Sequence, residues 1–255
     1  MRKSLIAAVA VIVAALALPS IGQADEIQSI TANLTPAKRD KKKFKPAQIY
    51  VEILTGAIGT GPNPEQPPSA FNTKVNFPTN MKFDTKKVPK CKGSEAQLQN
   101  TTTDQAKQVC GNKSIVSKGS GTVPTGPESA SGTSAWVTVD LPGDGTTLGV
   151  PVVVTAFNGE KSNQIFLHSR ADSVNNTSVL IGKLKDGPPG YGRQLDVQIP
   201  PLLAGAITRF TATVKSGKYV QARCKTKKMK FSATTKFENH PTVVDFYNSN
   251  CQQKK

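Results

Sequence analysis

Apolar residues in this chain recur at every second position far more often than at every third or fourth. In QIYVEIL (48–54) Ile49, Val51 and Ile53 share one face, and in LDVQI (195–199) Leu195, Val197 and Ile199 do the same. This is the mark of strands with one buried side. MKFSATTKF (229–237) turns Met229, Phe231, Ala233 and Phe237 to one side and leaves Lys228, Lys230 and Lys236 on the other. VPVVVTAF (150–157) is apolar on both faces, which predicts a central strand. Further strands are predicted at 72–77, 81–85, 114–123, 135–141, 163–169, 178–185, 207–215, 218–224 and 242–248, separated by Gly, Pro, Asn and Asp. GTGPNPEQPPS (59–69) is a loop, because Pro has no N–H to give to a ladder.

One stretch reads as helical. Between Cys91 and Cys110, Ser94 followed by Gln97 forms a capping box, and Asp104 is placed to cap a second turn through Gln108. The regular strand spacing predicts an all-β fold, an antiparallel β-sandwich of roughly ten or more strands with a short disulfide-bracketed helical insert.

The first 46 residues break the pattern. Arg2 and Lys3, an apolar run from Leu5 to Leu18, and the small residues of Gly22-Gln23-Ala24 form a signal peptide over 1–24, with cleavage near Ala24. The apolar run falls short of the roughly 20 residues that span a bilayer. The protein is therefore expected to be secreted or extracytoplasmic. Residues 25–46 carry KRDKKKFK (38–45), six bases and one acid, and such blocks stay solvated, so this part reads as a basic flexible segment. A single β domain is expected over 47–255, within the usual size of all-β domains.

Export gives the cysteines their meaning. An even count outside the cytoplasm reads as disulfides, and four cysteines allow three connectivities. Cys91–Cys110 and Cys224–Cys251 are favoured because each pair is local and brackets its own unit, each stabilising by about 3 kcal/mol on the loop-length model. No C-x-x-C spacing supports zinc.

Charge narrows the class of partner. Losing the leader removes two of the 33 Lys and Arg and none of the 17 Asp and Glu, so the net charge falls only from +16 to +14. Outside a cell this attracts polyanions: an anionic wall polymer, an acidic glycan or a membrane surface. The densest bases are Arg223, Lys225, Lys227, Lys228, Lys230 and Lys236, a candidate binding face, with the 38–45 run as an electrostatic arm. Excess lysine that keeps a β protein soluble is the competing explanation. Nucleic acid is disfavoured, since aromatics for stacking are not interleaved with these bases.

Catalytic patterns are weak. His168 and His240 read as surface or turn residues, and G-x-S-x-G is absent. Lys215-Ser216-Gly217 and Ser173-Val174-Asn175 resemble two motifs of penicillin-recognising enzymes, yet no Ser after Ala24 has Lys three residues later. Paired carboxylates for glycoside hydrolysis are a spatial requirement, with Glu52 and Glu160 among the acids available. Asp140, Asp144 and Asp186 lack calcium-loop spacing. No metal and no cofactor is expected.

Several stretches taken together are familiar: NFPTNMKFDTKKVPKC (76–91), VCGNKSIVSKGSGTV (109–123), VVTAFNGE (153–160), YGRQLDVQIP (191–200) and YVQARC with MKFSATTKFEN in 219–239. Across most of 47–251 the chain resembles an uncharacterised family of exported proteins from high-GC Gram-positive bacteria. The resemblance implies export, disulfides and a β domain, with the first Cys pair flanking a helical insert and the second on the last strands. It implies no activity. The expected function is a non-enzymatic exported β-sandwich that binds an anionic cell-envelope component or plays an envelope-structural role. The alternative is a glycan-active hydrolase using two carboxylates in a cleft.

Overall fold

A computed structural model describes residues 26–57, 67–119, 132–140, 147–200, 205–215 and 217–254. The leader and much of the 59–69 loop lie outside the described residues. The strands are β1 (Glu26–Thr35), β2 (Lys38–Arg39), β3 (Lys45–Pro46), β4 (Gln48–Ala57), β5 (Ala70–Pro78), β6 (Met81–Phe83), β7 (Ser134–Asp140) and β8 (Thr147–Asn158). They continue as β9 (Gln164–Ala171), β10 (Asn176–Asp186), β11 (Tyr191–Gln198), β12 (Gly205–Val214), β13 (Val220–Ala222), β14 (Lys228–Phe237), β15 (Val243–Asn250) and β16 (Gln252–Gln253).

Eleven strands form one antiparallel sheet in the order β1-β4-β12-β7-β8-β9-β10-β11-β5-β14-β15. The fold class is the one the alternation predicts, all-β and antiparallel. Its facing layers belong to a continuous sheet that curls into a nearly closed barrel. In an alternating ladder with an odd number of strands the first and last run the same way, so β1 and β15 meet in parallel orientation. They make no shared ladder. Instead Ile30 N–H donates to the Asp245 carboxylate (2.8 Å), and Gln28 Nε2 donates to the Ala233 carbonyl (3.1 Å). Below this point the seam is completed by a short parallel pairing of β2 with β16, and the Cys224–Cys251 disulfide ties that corner together.

One end of the barrel is capped. The small sheet β3-β13-β6 lies there, with Val220, Ala222, Met81 and Ala47 fully buried. Phe77 packs on Phe83 and Phe231, and Phe83 on Tyr219. Inward-facing Ile49, Val51 and Ile53 of β4 and Val150, Val152, Val154 and Ala156 of β8 belong to the same core. The other end, the mouth, is formed by the upper ends of β7 to β12.

The insert packs on the outer wall. Helices α1 (Glu95–Leu98) and α2 (Thr103–Cys110) are bracketed by the Cys91–Cys110 disulfide. Leu98 and Ala106 cover Phe157, Phe166 and Val179. β8 is therefore buried on both faces, as its unbroken apolar run predicts. Ser94 and Gln97 form the expected capping box. The second helix begins differently: Thr102, not Asp104, is its cap, reciprocated by Gln105, and Asp104 pairs with Lys107 instead.

Three expectations are corrected. Regular structure starts at Glu26 rather than near Ala47, because β1 pairs with β4 along ten positions, and Ile30 and Ala32 are buried. The described part of 114–123 is no strand; it makes isolated bridges at Ile115 and Ser117, patching the wall between β8 and β12. His168 is no surface residue either, being fully buried beneath the insert.

Candidate functional site

The capped end gathers most of the bases that the sequence singles out. Strand β3 pairs with β13, so the 38–45 run lies against the chain that leads into Arg223, Lys225, Lys227 and Lys228. Asp40 holds this segment in shape. Its carboxylate accepts from the Lys42 and Lys43 N–H groups (2.7 and 2.8 Å), which lowers its pKa, and its carbonyl accepts from Cys224 N–H. The acid is thus engaged by backbone. Asp84 similarly accepts from Lys86 N–H. Among the described residues none of Lys41, Lys42, Lys43, Lys225, Lys227 and Lys228 is in an ion pair. Here the lysines outnumber Asp40 and Asp84, so the field of this end is net positive.

Aromatic rings brace it. The Lys82 ammonium stands 4.3 Å and the Arg223 guanidinium 4.5 Å from the centre of the Phe44 ring. Lys230 lies 4.5 Å from Phe246 and 5.9 Å from Tyr191, cation–π contacts that hold long side chains in place. Arg39, expected to be solvated within the 38–45 run, is buried instead. It is 2% exposed, donates only to the Pro46 carbonyl at 3.5 Å, and leaves Nε and Nη2 without a partner. Burial lowers its pKa. A guanidinium held in this way is poised to gain from any anion that reaches it.

Placement of the six named bases is uneven. Lys225, Lys227, Lys228 and Lys230 are exposed at or beside the capped end, and Arg223 is partly buried against Phe44. Lys236 is exposed on β14 as expected, but stands opposite Asn72 toward the mouth, roughly 26 Å along the strand from Lys228. Asn72 in turn donates to Asp196, a buried carboxylate that pairs with Lys185. Burial raises the Asp196 pKa, and hydrogen bonds from Lys185 and Asn72 with nearby lysine charge reverse this, for a net lowering.

The acids considered for hydrolysis do not converge. Glu52 pairs with Arg209 on the outer wall, and Glu160 is exposed in the turn after β8. No group of three or more His, Cys, Asp and Glu suited to a metal occurs among the described residues. The two penicillin-enzyme-like motifs fall at opposite ends of the barrel, Ser173 near the mouth and Lys215 just past β12 at the capped end. No helix among the described residues is long and apolar enough to cross a membrane. Searches with protein-family models, against curated proteins and against solved structures return no match for this chain.

Proposed function

We propose that this is an exported, non-enzymatic protein that binds an anionic polymer of the cell envelope through the capped end of its barrel. The observation that carries the reading is the convergence of two basic runs, 38–45 and 223–230, distant in sequence, on one end where lysine and arginine outnumber Asp40 and Asp84. Two disulfides fit an extracytoplasmic location, where such bonds persist, and the leader with cleavage near Ala24 supplies the route.

Retention of the protein on isolated cell envelope and on immobilised polyphosphate, read across a salt series, tests this. Retention is expected to fall by at least about tenfold between 50 and 200 mM salt, as charge-driven polyanion binding does. A variant with Lys225, Lys227, Lys228 and Lys230 changed to Gln is expected to lose it. A second variant with Lys74, Lys107, Lys113 and Lys236 changed to Gln has the same net charge and is expected to keep it. Equal losses in the two variants would reduce the charge to a general solubility device.

A further inference from the structure

Inside the barrel lies a second site that owes nothing to these charges. About eight strands make a barrel whose interior side chains just fill it, and this one has eleven. Two cavities lie in line along the lumen, about 120 Å³ toward the capped end and about 350 Å³ toward the mouth. Leu167, Leu180, Ile207 and Phe210 border both and form the constriction between them. Among the described residues no Lys, Arg, His, Asp or Glu lines either cavity. At the mouth the inward position of β8, Leu148, is 47% exposed, and Val174 is 52% exposed. Deeper inward positions on β8 are all buried.

The floor carries a polar group with nothing to bind. Tyr219 is 4% exposed and lines the lower cavity, and its hydroxyl has no hydrogen-bond partner. Burial raises its pKa, so it stays a protonated donor. Three of the threonine hydroxyls along this cavity are occupied: Thr73 with Thr235 at 3.1 Å, and Thr133, which donates to the Thr213 carbonyl at 3.3 Å. A donor left unpaired at the bottom of an apolar shaft is costly unless a ligand atom accepts from it.

We propose that the lumen binds an uncharged single-chain lipophile, with its hydrocarbon chain toward the mouth and an oxygen acceptor at the Tyr219 hydroxyl. A carboxylate or phosphate head carried to the floor would find neither a cation nor bulk water, so charged lipids are excluded. A peptide segment is excluded too, because its backbone amides would go unpaired between aliphatic walls. Two cavities joined through a constriction suit a flexible methylene chain rather than a compact ring system.

The test uses the full chain after leader removal, with radiolabelled 1-hexadecanol, hexadecane and, at pH 8, hexadecanoate presented from carrier beads. The alcohol is expected to bind in a one-to-one complex, and hexadecanoate at least about tenfold more weakly. Tyr219→Phe is expected to weaken the alcohol by about threefold to tenfold, the worth of one hydrogen bond, while leaving hexadecane unchanged. Ser178→Phe, at a wall position near the mouth, is expected to weaken both chains; circular dichroism confirms that each variant is folded. The proposal is overturned if neither chain binds, if hexadecanoate matches the alcohol, or if Tyr219→Phe leaves the alcohol unaffected or shifts alcohol and alkane alike.

Discussion

At the capped end of the barrel Met229, Phe231, Val220 and Ala222 are fully buried, the small sheet β3-β13-β6 lies there, and a disulfide joins the last strands to the neighbouring turn. At the mouth, Leu148 and Val174 stand about half exposed, over a lumen lined by aliphatic groups. The same strands build both ends, so among the described residues the difference comes from what is laid across them. Fully buried Met229 and Phe231 lie on the strand that carries Lys228 and Lys230, so these lysines stand on a packed base. The described residues of the mouth are less tightly packed, which suits the lipophile site proposed above.

Substitutions that remove equal chemistry from the two ends sharpen this contrast most. Phe231→Ala is expected to cost about 3–5 kcal/mol, as deletion of a fully buried ring does, whereas Leu148→Ala is expected to cost under about 1 kcal/mol because much of that side chain is already exposed. Urea unfolding measures both; similar losses would mean that the mouth is as tightly packed as the cap.

A smaller effect separates the two disulfides. Replacing Cys224 and Cys251 together by Ser is expected to cost about 3 kcal/mol, and the same change at Cys91 and Cys110 a similar amount, since the loops closed differ little in length. Amide exchange distinguishes them. Loss of the first pair should speed exchange in β1, β15 and β16, and loss of the second only in the insert and the wall beneath it.

The smallest expected effect is a pH dependence at the insert. His168 is fully buried, with Nε2 3.0 Å from the Thr101 hydroxyl and 3.2 Å from the Thr101 carbonyl. Burial lowers its pKa, the Arg170 charge adds to this, and the Thr101 contact opposes it. The unfolded chain takes a proton on this ring near the ordinary value of about 6.5, and the folded one resists. Stability is therefore full above about pH 7 and declines as the pH falls toward the lowered folded value. Thermal unfolding across pH 5–8 should show this decline, and His168→Gln should flatten it. An unchanged profile in the variant would assign the pH dependence to another group.

The strands were legible where one face had to be apolar. β4, β8, β11 and β14 lie within a few residues of where the alternation puts them, and Lys228 and Lys230 point outward as expected. The first strand was hidden although Ile30, Ala32 and Leu34 alternate, because its apolar side chains are few and KRDKKKFK follows at once. That run reads as a solvated arm from composition; its anchoring by Asp40 and its pairing with β13 depend on residues nearly two hundred positions away. Arg39 was hidden for the same reason. The lumen left no trace in the sequence, because an inward valine looks alike whether its neighbour is another side chain or empty space. Tyr219 likewise gives no sign that its hydroxyl lacks a partner.

The odd strand count has a consequence in time. Ile30 and Asp245 close the seam across 215 positions of sequence, so during synthesis the first strand must wait for β15. Its partner β4 arrives early, but the opposite edge does not exist until β15 has been made. Contacts of such long range form late and slowly. Until then the growing sheet has an open border and an uncovered aliphatic inner face, the state most exposed to aggregation. Closure of the seam thus waits for β15, whereas the Cys224–Cys251 disulfide joins positions only 27 apart and can form within the last strands before β1 docks.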